Sequence, residues 1–247
     1  MLKKFFYAVR YFYHYSVFLS DYWKFSRAAR QRPEHRLVWR DRYPCLSEKA
    51  KAAGFDRHYV YHTSWAARIL AKTRPDKHVD ISSSLYFCSI VSAFIPVEFY
   101  DYRLVDMKLD NLSVRQADLL CLPFENESVL SLSCMHVVEH IGLGRYGELL
   151  DVFGDIKAIE ELKRVLAQGG NLLFVVPVGV PRIMFNAHRI YSYEQVLHYF
   201  AGLELVEFAL IGEREGGLLP HPSPNMVAKQ SYACGCFWFA KPSCSGT

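Results

Sequence analysis

Short apolar runs recur along most of the chain and are separated by segments whose apolar residues have helical spacing. The runs predict strands at residues 78–81, 97–100, 117–119, 129–135, 172–176, 203–211 and 232–240. The intervening segments predict helices at residues 57–73, 85–94, 155–166 and 193–200. Because strands that alternate with helices form a parallel sheet with right-handed crossovers, we predict an α/β fold with a doubly wound, seven-stranded sheet.

The last two predicted strands are joined by residues 212–230 rather than by a helix. This connection predicts a mostly parallel sheet with an antiparallel last strand. The connecting segment is rich in Gly, Pro, Glu and Ser and is long for a tight turn, so we expect either a lid or a disordered loop there.

The N-terminal segment is aromatic and basic. Lys3-Lys4 and the aromatic run after them resemble the start of a signal peptide, but charged residues interrupt the run and no small-residue cleavage site follows. A membrane span takes about 20 nearly uninterrupted apolar residues, which this segment lacks. Two interpretations of residues 1–28 stay open: a helix that packs on the domain or on a partner chain, and an interfacial helix peripheral to a membrane. We therefore divide the chain into an N-terminal helical extension with a connector, residues 1–55, and an α/β domain, residues 56–247.

Composition narrows the class of protein. The chain has 247 residues, of which 51% are hydrophobic, and a net charge of +4. The charge is not gathered into a basic cluster, so we expect no nucleic-acid partner. The 7 cysteines lack the spacing of a disulfide framework or of paired zinc ligands, although Cys234, Cys236 and Cys244 lie close in sequence. We expect free thiols, a cytoplasmic location and no resident metal.

Polar residues of the kinds that bind ligands or transfer protons follow several predicted strands. Asp101 lies about 20 residues after Asp80, which is the spacing of a nucleotide-binding βαβ unit. His136, Glu139 and His140 follow the fourth predicted strand. Because the carboxyl ends of parallel strands meet at one edge of a sheet, we expect a ligand site at that edge.

Over about residues 56–240, the order of elements resembles the class I S-adenosylmethionine-dependent methyltransferases, which have a Rossmann-like fold. In that family an acid and a Gly-rich loop follow the first strand. Here Asp80 matches the acid, whereas Ser82, Ser84 and Tyr86 stand where glycines are usual. The resemblance implies S-adenosylmethionine as cofactor, bound by Asp80, Ser82, Ser83, Ser84, Asp101, Tyr102, Asp118, Leu119 and Met135. Within this set, Asp101 would bind the ribose, Asp118 the adenine edge and the serines the methionine end.

A narrower resemblance links residues 55–62, 136–147 and 185–192 to a methyltransferase-like domain of unknown function, domain of unknown function 268. That group is often associated with surface-polysaccharide genes, and the resemblance implies a glycan or nucleotide-sugar acceptor. The predicted catalytic residues are His136, Glu139 and His140, because a neutral imidazole near the reacting atoms accepts a proton at working pH. The predicted substrate-binding residues are Arg145, Tyr146, His188, Arg189 and Tyr191.

Two motifs allow other interpretations. Residues 136–140 read H-x-x-E-H, the inverted zinc-peptidase pattern, which requires both histidines on one helical face. Residues 142–147 read G-x-G-x-x-G, but a dinucleotide-binding loop belongs between a first strand and a helix. We expect methyl transfer to an oxygen or nitrogen nucleophile of a small molecule. The alternative is a catalytically inactive methyltransferase-like binding or scaffold module, because the loop has lost its glycines. The oligomeric state does not follow from the sequence.

Overall fold

The computed structural model describes residues 2–31, 35–46, 54–214 and 216–243. Parts of the predicted connector (residues 32–34 and 47–53), residue 215 of the predicted lid, and Cys244 therefore lie outside the described residues. The chain divides into two units, Met1–Phe55 and Asp56–Thr247.

The first unit contains one long helix, α1 (Leu2–Ala28). Its aromatic side chains are widely exposed, and they include Tyr7, Phe12, Tyr13 and Trp23. Among the described residues, no helix combines the length and the apolar character needed to cross a membrane.

The second unit is built on a large central sheet. Its strands in chain order are β1 (His78–Ile81), β2 (Val97–Asp101), β3 (Leu112–Gln116), β4 (Val129–Met135), β5 (Leu166–Val178), β6 (Arg182–Met184), β7 (His188–Ile190), β8 (Glu204–Ile211), β9 (Leu218–Pro220) and β10 (Ala233–Ala240). The main sheet has 8 strands in the order β3-β2-β1-β4-β5-β10-β8-β9, and β6 pairs with β7 in a separate hairpin. Strands β1 to β5 are parallel, whereas β10 runs antiparallel to both β5 and β8.

Helices cover both faces of this sheet. They are α2 (Arg57–Thr73), α3 (Leu85–Val91), α4 (Gly154–Val165), α5 (Tyr193–Tyr199) and α6 (Pro224–Ala228). The carboxylate of Asp56 caps α2 by accepting from the amide of Tyr59 at 3.2 Å. Ser192 and Gln195 form a reciprocal capping box at the start of α5.

The apolar side chains form one cluster on each face of the sheet. Residues of α4 and α5 pack on one face with Phe174 and Phe237, and residues of α2 and α3 pack on the other with Phe99 and Met135. Burial on both faces explains why the central strands have near-continuous apolar runs instead of alternating ones. The parallel order leaves the carboxyl ends of β1, β2 and β4 at one edge, and the predicted site residues lie there.

The predicted fold class is confirmed, with two corrections. The sheet has 8 strands and not 7, because β9 pairs with β8 inside the segment that we predicted as a lid or a disordered loop. The third strand is Leu112–Gln116 and not residues 117–119. Residues 118–121 instead form a tight turn, in which the amide of Cys121 donates to the carbonyl of Asp118 at 2.9 Å. The helix α6 also lies in the predicted loop.

Candidate functional site

A cavity of about 350 Å³ opens at the carboxyl edge of the parallel strands. This volume lies within the range of small-molecule sites, roughly 300–1,000 Å³. The lining residues come from the ends of β1 and β2 and from the segments after β3 and β4. Among the sequence-predicted residues, those in the lining are Ser82, Asp101, Tyr102, Asp118, Leu119, His136, His140 and Tyr146.

Asp101 at the end of β2 and Asp118 in the turn after β3 both line the cavity. Asp101 ends β2 and accepts from the amide of Arg103 at 2.8 Å, and Asp118 accepts from the amide of Leu120 at 2.9 Å. These bonds fix each carboxylate relative to its own turn. The guanidinium of Arg103 lies 3.7 Å from the Asp101 carboxylate and also lines the cavity.

The serine loop after β1 adopts a conformation that usually selects glycine. Ser82 has φ of 55°, in the left-handed region. Its amide and its hydroxyl both donate to the carbonyl of Tyr100, at 2.7 and 3.1 Å. The hydroxyl oxygen of Ser83 accepts from the amide of Met135 at 3.0 Å. The loop is therefore tied to both neighbouring strands, β2 and β4.

Four residues that we predicted as cofactor ligands do not line the cavity: Asp80, Ser83, Ser84 and Met135. Ser83 serves the backbone of β4, and Met135 is 1% exposed in the core. Ser84 is the N-cap of α3, without a capping bond from its side chain. Since Ser83 and Ser84 lie outside the lining, Ser82 alone remains of the three serines that we expected to face the ligand.

Asp80 lies beneath the cavity instead of in its wall. Its side chain is fully buried and accepts from the amide of Ser83 at 3.0 Å and from the hydroxyl of Ser133. His78 bonds to the hydroxyls of Ser131 and Ser133 through its two ring nitrogens, each at 2.8 Å. Since Ser133 gives its proton to Asp80, the Nε2–H of His78 must donate to Ser133. Burial raises the pKa of the Asp80 carboxyl to about 6 and lowers the pKa of His78 to about 3.

The predicted catalytic residues form one connected group. His136 has φ of 59°, and its Nδ1 lies 2.9 Å from Oε1 of Glu139. Oε1 also lies 3.8 Å from Nε2 of His140, and Nδ1 of His140 bonds to the carbonyl of Ala187 at 2.6 Å. Burial raises the pKa of Glu139 to about 7 and lowers the pKa of His136 to about 4, so burial favours the uncharged form of both groups. Burial also lowers the pKa of His140.

The first two turns of α2 contribute residues to the site that were not predicted from the sequence. The rings of His58 and Tyr59 stack on His136, with centroid distances of 5.7 and 5.6 Å, and His62 contacts it edge-on at 5.1 Å. Burial lowers the pKa of His58 to about 4 and of His62 to about 3. The i, i+4 spacing of these two histidines on a predicted helix was the available signal. That segment was predicted as part of a helix and of the family resemblance, and not as part of the site.

The predicted substrate-binding residues separate into two groups. Tyr146 lines the cavity, Arg145 donates to the carbonyl of Ala187 at 3.0 Å, and His188 packs its ring 5.1 Å from Tyr232. Arg145 and His188 lie outside the cavity lining, and so do Arg189 and Tyr191, which are 5% and 4% exposed.

Arg189 and Tyr191 belong to a buried structural network. Both contact Asp155 of α4, Arg189 at 3.4 Å through Nε and Tyr191 at 2.9 Å through its hydroxyl. Arg189 also donates to the carbonyl of Ile141 at 2.7 Å. Their hydrogen-bonding groups hold the β7 hairpin against α4, so the geometry assigns them to structure rather than to substrate.

The structure does not place either alternative motif in the secondary structure that its interpretation requires. His136 follows β4 directly, and residues 138–140 form a single 3-10 turn, so the H-x-x-E-H histidines do not share a helical face. The glycines of residues 142–147 have positive φ in a turn closed by Glu148, which accepts from the amides of Gly144 and Tyr146 at 2.8 Å each. That turn follows the fourth strand of the sheet and not the first.

The comparisons with known proteins agree on the fold. The N-methyltransferase NodS from Bradyrhizobium japonicum WM9, in complex with S-adenosylhomocysteine, is 15% identical, with a TM-score of 0.51 over 73% of this chain and 86% of that one. A Burkholderia thailandensis 1,6-didemethyltoxoflavin-N1-methyltransferase is 10% identical, with a TM-score of 0.53 over 74% of this chain and 79% of that one. The [4+2]-cyclase SpnF is 14% identical, with a TM-score of 0.52 over 73% and 81% of the two chains. The chain has the class I methyltransferase fold.

One protein family matches within this methyltransferase fold. The family described as Caenorhabditis protein of unknown function, DUF268, matches residues 103–215, so the predicted resemblance to that domain is confirmed over this segment. The sequence has no match among curated proteins. The matched segment includes Asp118, His136, Glu139 and His140 of the site.

Proposed function

We propose that this protein transfers a methyl group from S-adenosylmethionine to an oxygen or nitrogen nucleophile of a small molecule. One observation carries the proposal: Ser82, Asp101 and Asp118 come from three separate strand ends and line one cavity of about 350 Å³. A nucleoside with a charged tail needs acceptors for its ribose hydroxyls and for its adenine amino group, and carboxylates supply both. The likeness in fold to proteins described with S-adenosylhomocysteine supports the same ligand class.

The described residues fit this cofactor. Asp101 would accept from the ribose hydroxyls, and Asp118 from the adenine edge beside the apolar side chain of Leu119. Ser82 would face the methionine end, and the half-exposed ring of Tyr102 would cover the nucleoside. The bound cofactor supplies an activated methyl group. The protein's contribution is to hold the nucleophile in line with that group and to exclude water.

His140 is the better of the two histidines to accept a proton from the nucleophile. It lines the cavity, and its bond to the carbonyl of Ala187 places the proton on Nδ1, which leaves Nε2 as the basic nitrogen. A protonated His140 would face Oε1 of Glu139, 3.8 Å from Nε2. Nε2 of His136, in contrast, lies 3.4 Å from the sulfur of Cys234. We therefore assign proton acceptance to His140 and an orienting role to Glu139.

The acceptor that we propose is a glycan or a nucleotide-linked sugar, on the basis of the family resemblance. Arg145 and Tyr146 lie beside His140 and present a cation and an aromatic ring, which suit a phosphate and a sugar face. The second candidate is a catalytically inactive binding module. The serine loop in place of glycines favours it, and the [4+2]-cyclase described above shows that this fold also serves other purposes.

Calorimetry with S-adenosylmethionine and S-adenosylhomocysteine tests the proposal. We expect both to bind, and we expect Asp101→Ala to weaken binding by about 1–3 kcal/mol, because ribose hydroxyls would lose their charged acceptor. The matched control is Asp106→Ala, since Asp106 is exposed and lies outside the lining. Absence of binding at millimolar ligand would refute the proposal. Equal affinity of the Asp101 variant and the control would show that the nucleoside lies elsewhere.

We also propose a cytoplasmic protein whose residues 1–28 contact a membrane surface or a protein. The exposed aromatic side chains of α1 and its basic residues, Arg10, Lys24 and Arg27, support this proposal. The free thiols of Cys88, Cys134 and Cys236 support a reducing compartment. Co-sedimentation of the full chain with anionic vesicles, and none of a variant lacking residues 1–28, is the result that supports lipid contact. Equal pelleting of both would exclude it.

A further inference from the structure

Three potential metal ligands converge beside the cavity. One ligand atom each of His58, His136 and Cys234 lies within 4.8 Å of the other two. The residues come from three separate segments: the first turn of α2, the residue after β4, and β10. Their positions are 58, 136 and 234, so only the folded chain brings them together.

The orientation of His136 is that of a metal ligand with a supporting carboxylate. Its Nδ1 bonds to Glu139 at 2.9 Å, and its Nε2 points to the sulfur of Cys234 at 3.4 Å. Metal-binding histidines commonly donate their other ring N–H to a carboxylate, which fixes the tautomer and the ring orientation. A tetrahedral zinc ion, with bonds of about 2.0 Å to nitrogen and 2.3 Å to sulfur, separates these two ligand atoms by about 3.5 Å. The observed distance between Nε2 of His136 and the sulfur of Cys234 is therefore close to the separation that a bound zinc ion requires.

Unpartnered polar atoms around this group are a second, independent observation. Nε2 of His62 and Oε2 of Glu139 are buried and lack a hydrogen-bond partner within the described part of the chain. His62 is 0% exposed and Glu139 is 1% exposed. Nδ1 of His62 is bonded to the carbonyl of His58 at 2.7 Å, so Nε2 carries a lone pair that faces no proton donor. A buried polar atom without a partner destabilises the fold, and a nearby cation relieves that cost.

We propose that His58, His136 and Cys234 bind one divalent transition-metal ion of the zinc type. Two imidazole nitrogens and one thiolate sulfur select zinc over magnesium or calcium, which prefer oxygen ligands. Three protein ligands leave a fourth position for water or for a substrate atom. His136 also lines the cavity, so the ion lies at the cavity's border. This proposal does not depend on the proposed methyl transfer, and it departs from the sequence-based expectation of no metal.

The competing interpretation is a hydrogen bond from the thiol of Cys234 to Nε2 of His136. Cys234 is 0% exposed, and burial raises the pKa of its thiol, which favours this neutral pair in the absence of an ion. A bound divalent cation reverses that preference, because a coordinating thiol loses its proton outright. The two interpretations therefore differ in a measurable way: only the metal site releases a proton and forms a thiolate bond when the ion is added.

Titration of the purified full chain with Zn²⁺ and Co²⁺ tests the site. We expect one equivalent of either ion, proton release on binding, and a near-ultraviolet thiolate-to-cobalt absorption band. We expect His58→Ala and Cys234→Ser each to lower affinity at least tenfold, and we expect Cys234→Ser, which lacks the thiolate, to remove the band. His58 is partly exposed on the first turn of α2, so its variant also serves if the buried Cys234 variant fails to fold.

Cys134→Ser is the matched control, because Cys134 is equally buried but packs in the cluster on the opposite face of the sheet from Cys234. We expect the control variant to bind one equivalent of the metal ion and to keep the absorption band. Glu139→Gln should retain the band with affinity lowered about 10–100-fold, as expected for a positioning residue behind a metal ligand. No saturable binding of either ion by the full chain would overturn the proposal, as would unchanged affinity in the folded His58 variant. Binding of S-adenosylmethionine is measured separately, so failure of either proposal is distinguishable from failure of the other.

Discussion

The burial of the Asp80 carboxyl allows a specific prediction of how the free energy of unfolding changes with pH. Asp80 lies under the serine loop, where it accepts from the amide of Ser83 and the hydroxyl of Ser133. Burial is the main cause that raises its pKa from 3.8 to about 6, and the hydrogen bonds oppose the shift in part. The nearest titratable neighbours are His78, linked through Ser133, and the thiol of Cys88. We predict that Asp80→Asn changes how the free energy of unfolding depends on pH.

The sign and the size follow from linkage. A carboxyl whose folded pKa exceeds its unfolded pKa stabilises the fold fully below pH 3.8, and that contribution is lost as pH rises through about 6. The rise in the pKa from 3.8 to about 6 corresponds to about 3 kcal/mol in total, of which roughly half is lost between pH 5 and pH 7.5. The asparagine variant cannot ionise at this position, so it should lack that part of the loss. Relative to the native protein, the variant gains stability as pH rises.

Urea unfolding at intervals between pH 5 and pH 7.5 measures the effect. His78 also titrates abnormally, but it is present in both proteins and cancels in their difference. The amide of the variant cannot accept from both Ser83 and Ser133, so a constant offset of about 1–2 kcal/mol is expected at every pH. Only the slope of the difference tests the reasoning. A difference that stays flat across this window would show that Asp80 ionises as an exposed carboxyl does.

Two further predictions concern the framework of the site. Arg189→Ala should lower the free energy of unfolding by about 3–5 kcal/mol, because it leaves buried Asp155 without its cation, and urea unfolding measures the loss. A change within experimental error would show that water replaces the guanidinium. Gly142→Ala should be more disruptive than Gly147→Ala, although both glycines have positive φ. A Cβ at 142 would lie 2.1 Å from the carbonyl oxygen of Asp151, whereas at 147 it meets nothing within 4 Å. Calorimetric melting of both variants compares them, and equal losses would contradict the steric argument.

The sequence predicted the sheet well because its buried strands have strong apolar runs. Strand β4 was placed at its observed bounds, and β2 within one residue. The error at β3 has a physical cause: the edge strand Leu112–Gln116 is buried at one residue only, so it lacks the apolar signal of its neighbours. Strand β9, which pairs with β8, has 3 residues and is too short for a periodic pattern to be visible in the sequence.

The site was predictable where it follows from strand ends and not where it depends on packing between distant segments. Asp101 and Asp118 line the cavity: Asp101 ends β2 as predicted, whereas Asp118 lies in a turn after β3 and not in the strand predicted at residues 117–119. The stacking of His58 on His136 joins residues 78 positions apart. The spacing of His58 and His62 along one helix face does not indicate which distant residue they contact. Arg189 shows the opposite error, since a basic residue at the correct edge of the sheet was assigned to substrate although its guanidinium is committed to Asp155. The position of a residue after a strand predicts the edge of the sheet at which it lies. Its burial and contacts decide whether it faces a ligand or supports the fold.

The loss of glycines from the first loop is not by itself an argument against a cofactor. A residue other than glycine held at positive φ costs about 1–3 kcal/mol. Ser82 recovers a similar amount, because its amide and hydroxyl both donate to the carbonyl of Tyr100, at about 1 kcal/mol for each net hydrogen bond. Asp80 contributes further by holding the amide of Ser83. The serine loop therefore keeps the backbone course that glycine would allow, and the hydroxyl of Ser82 helps to hold that course.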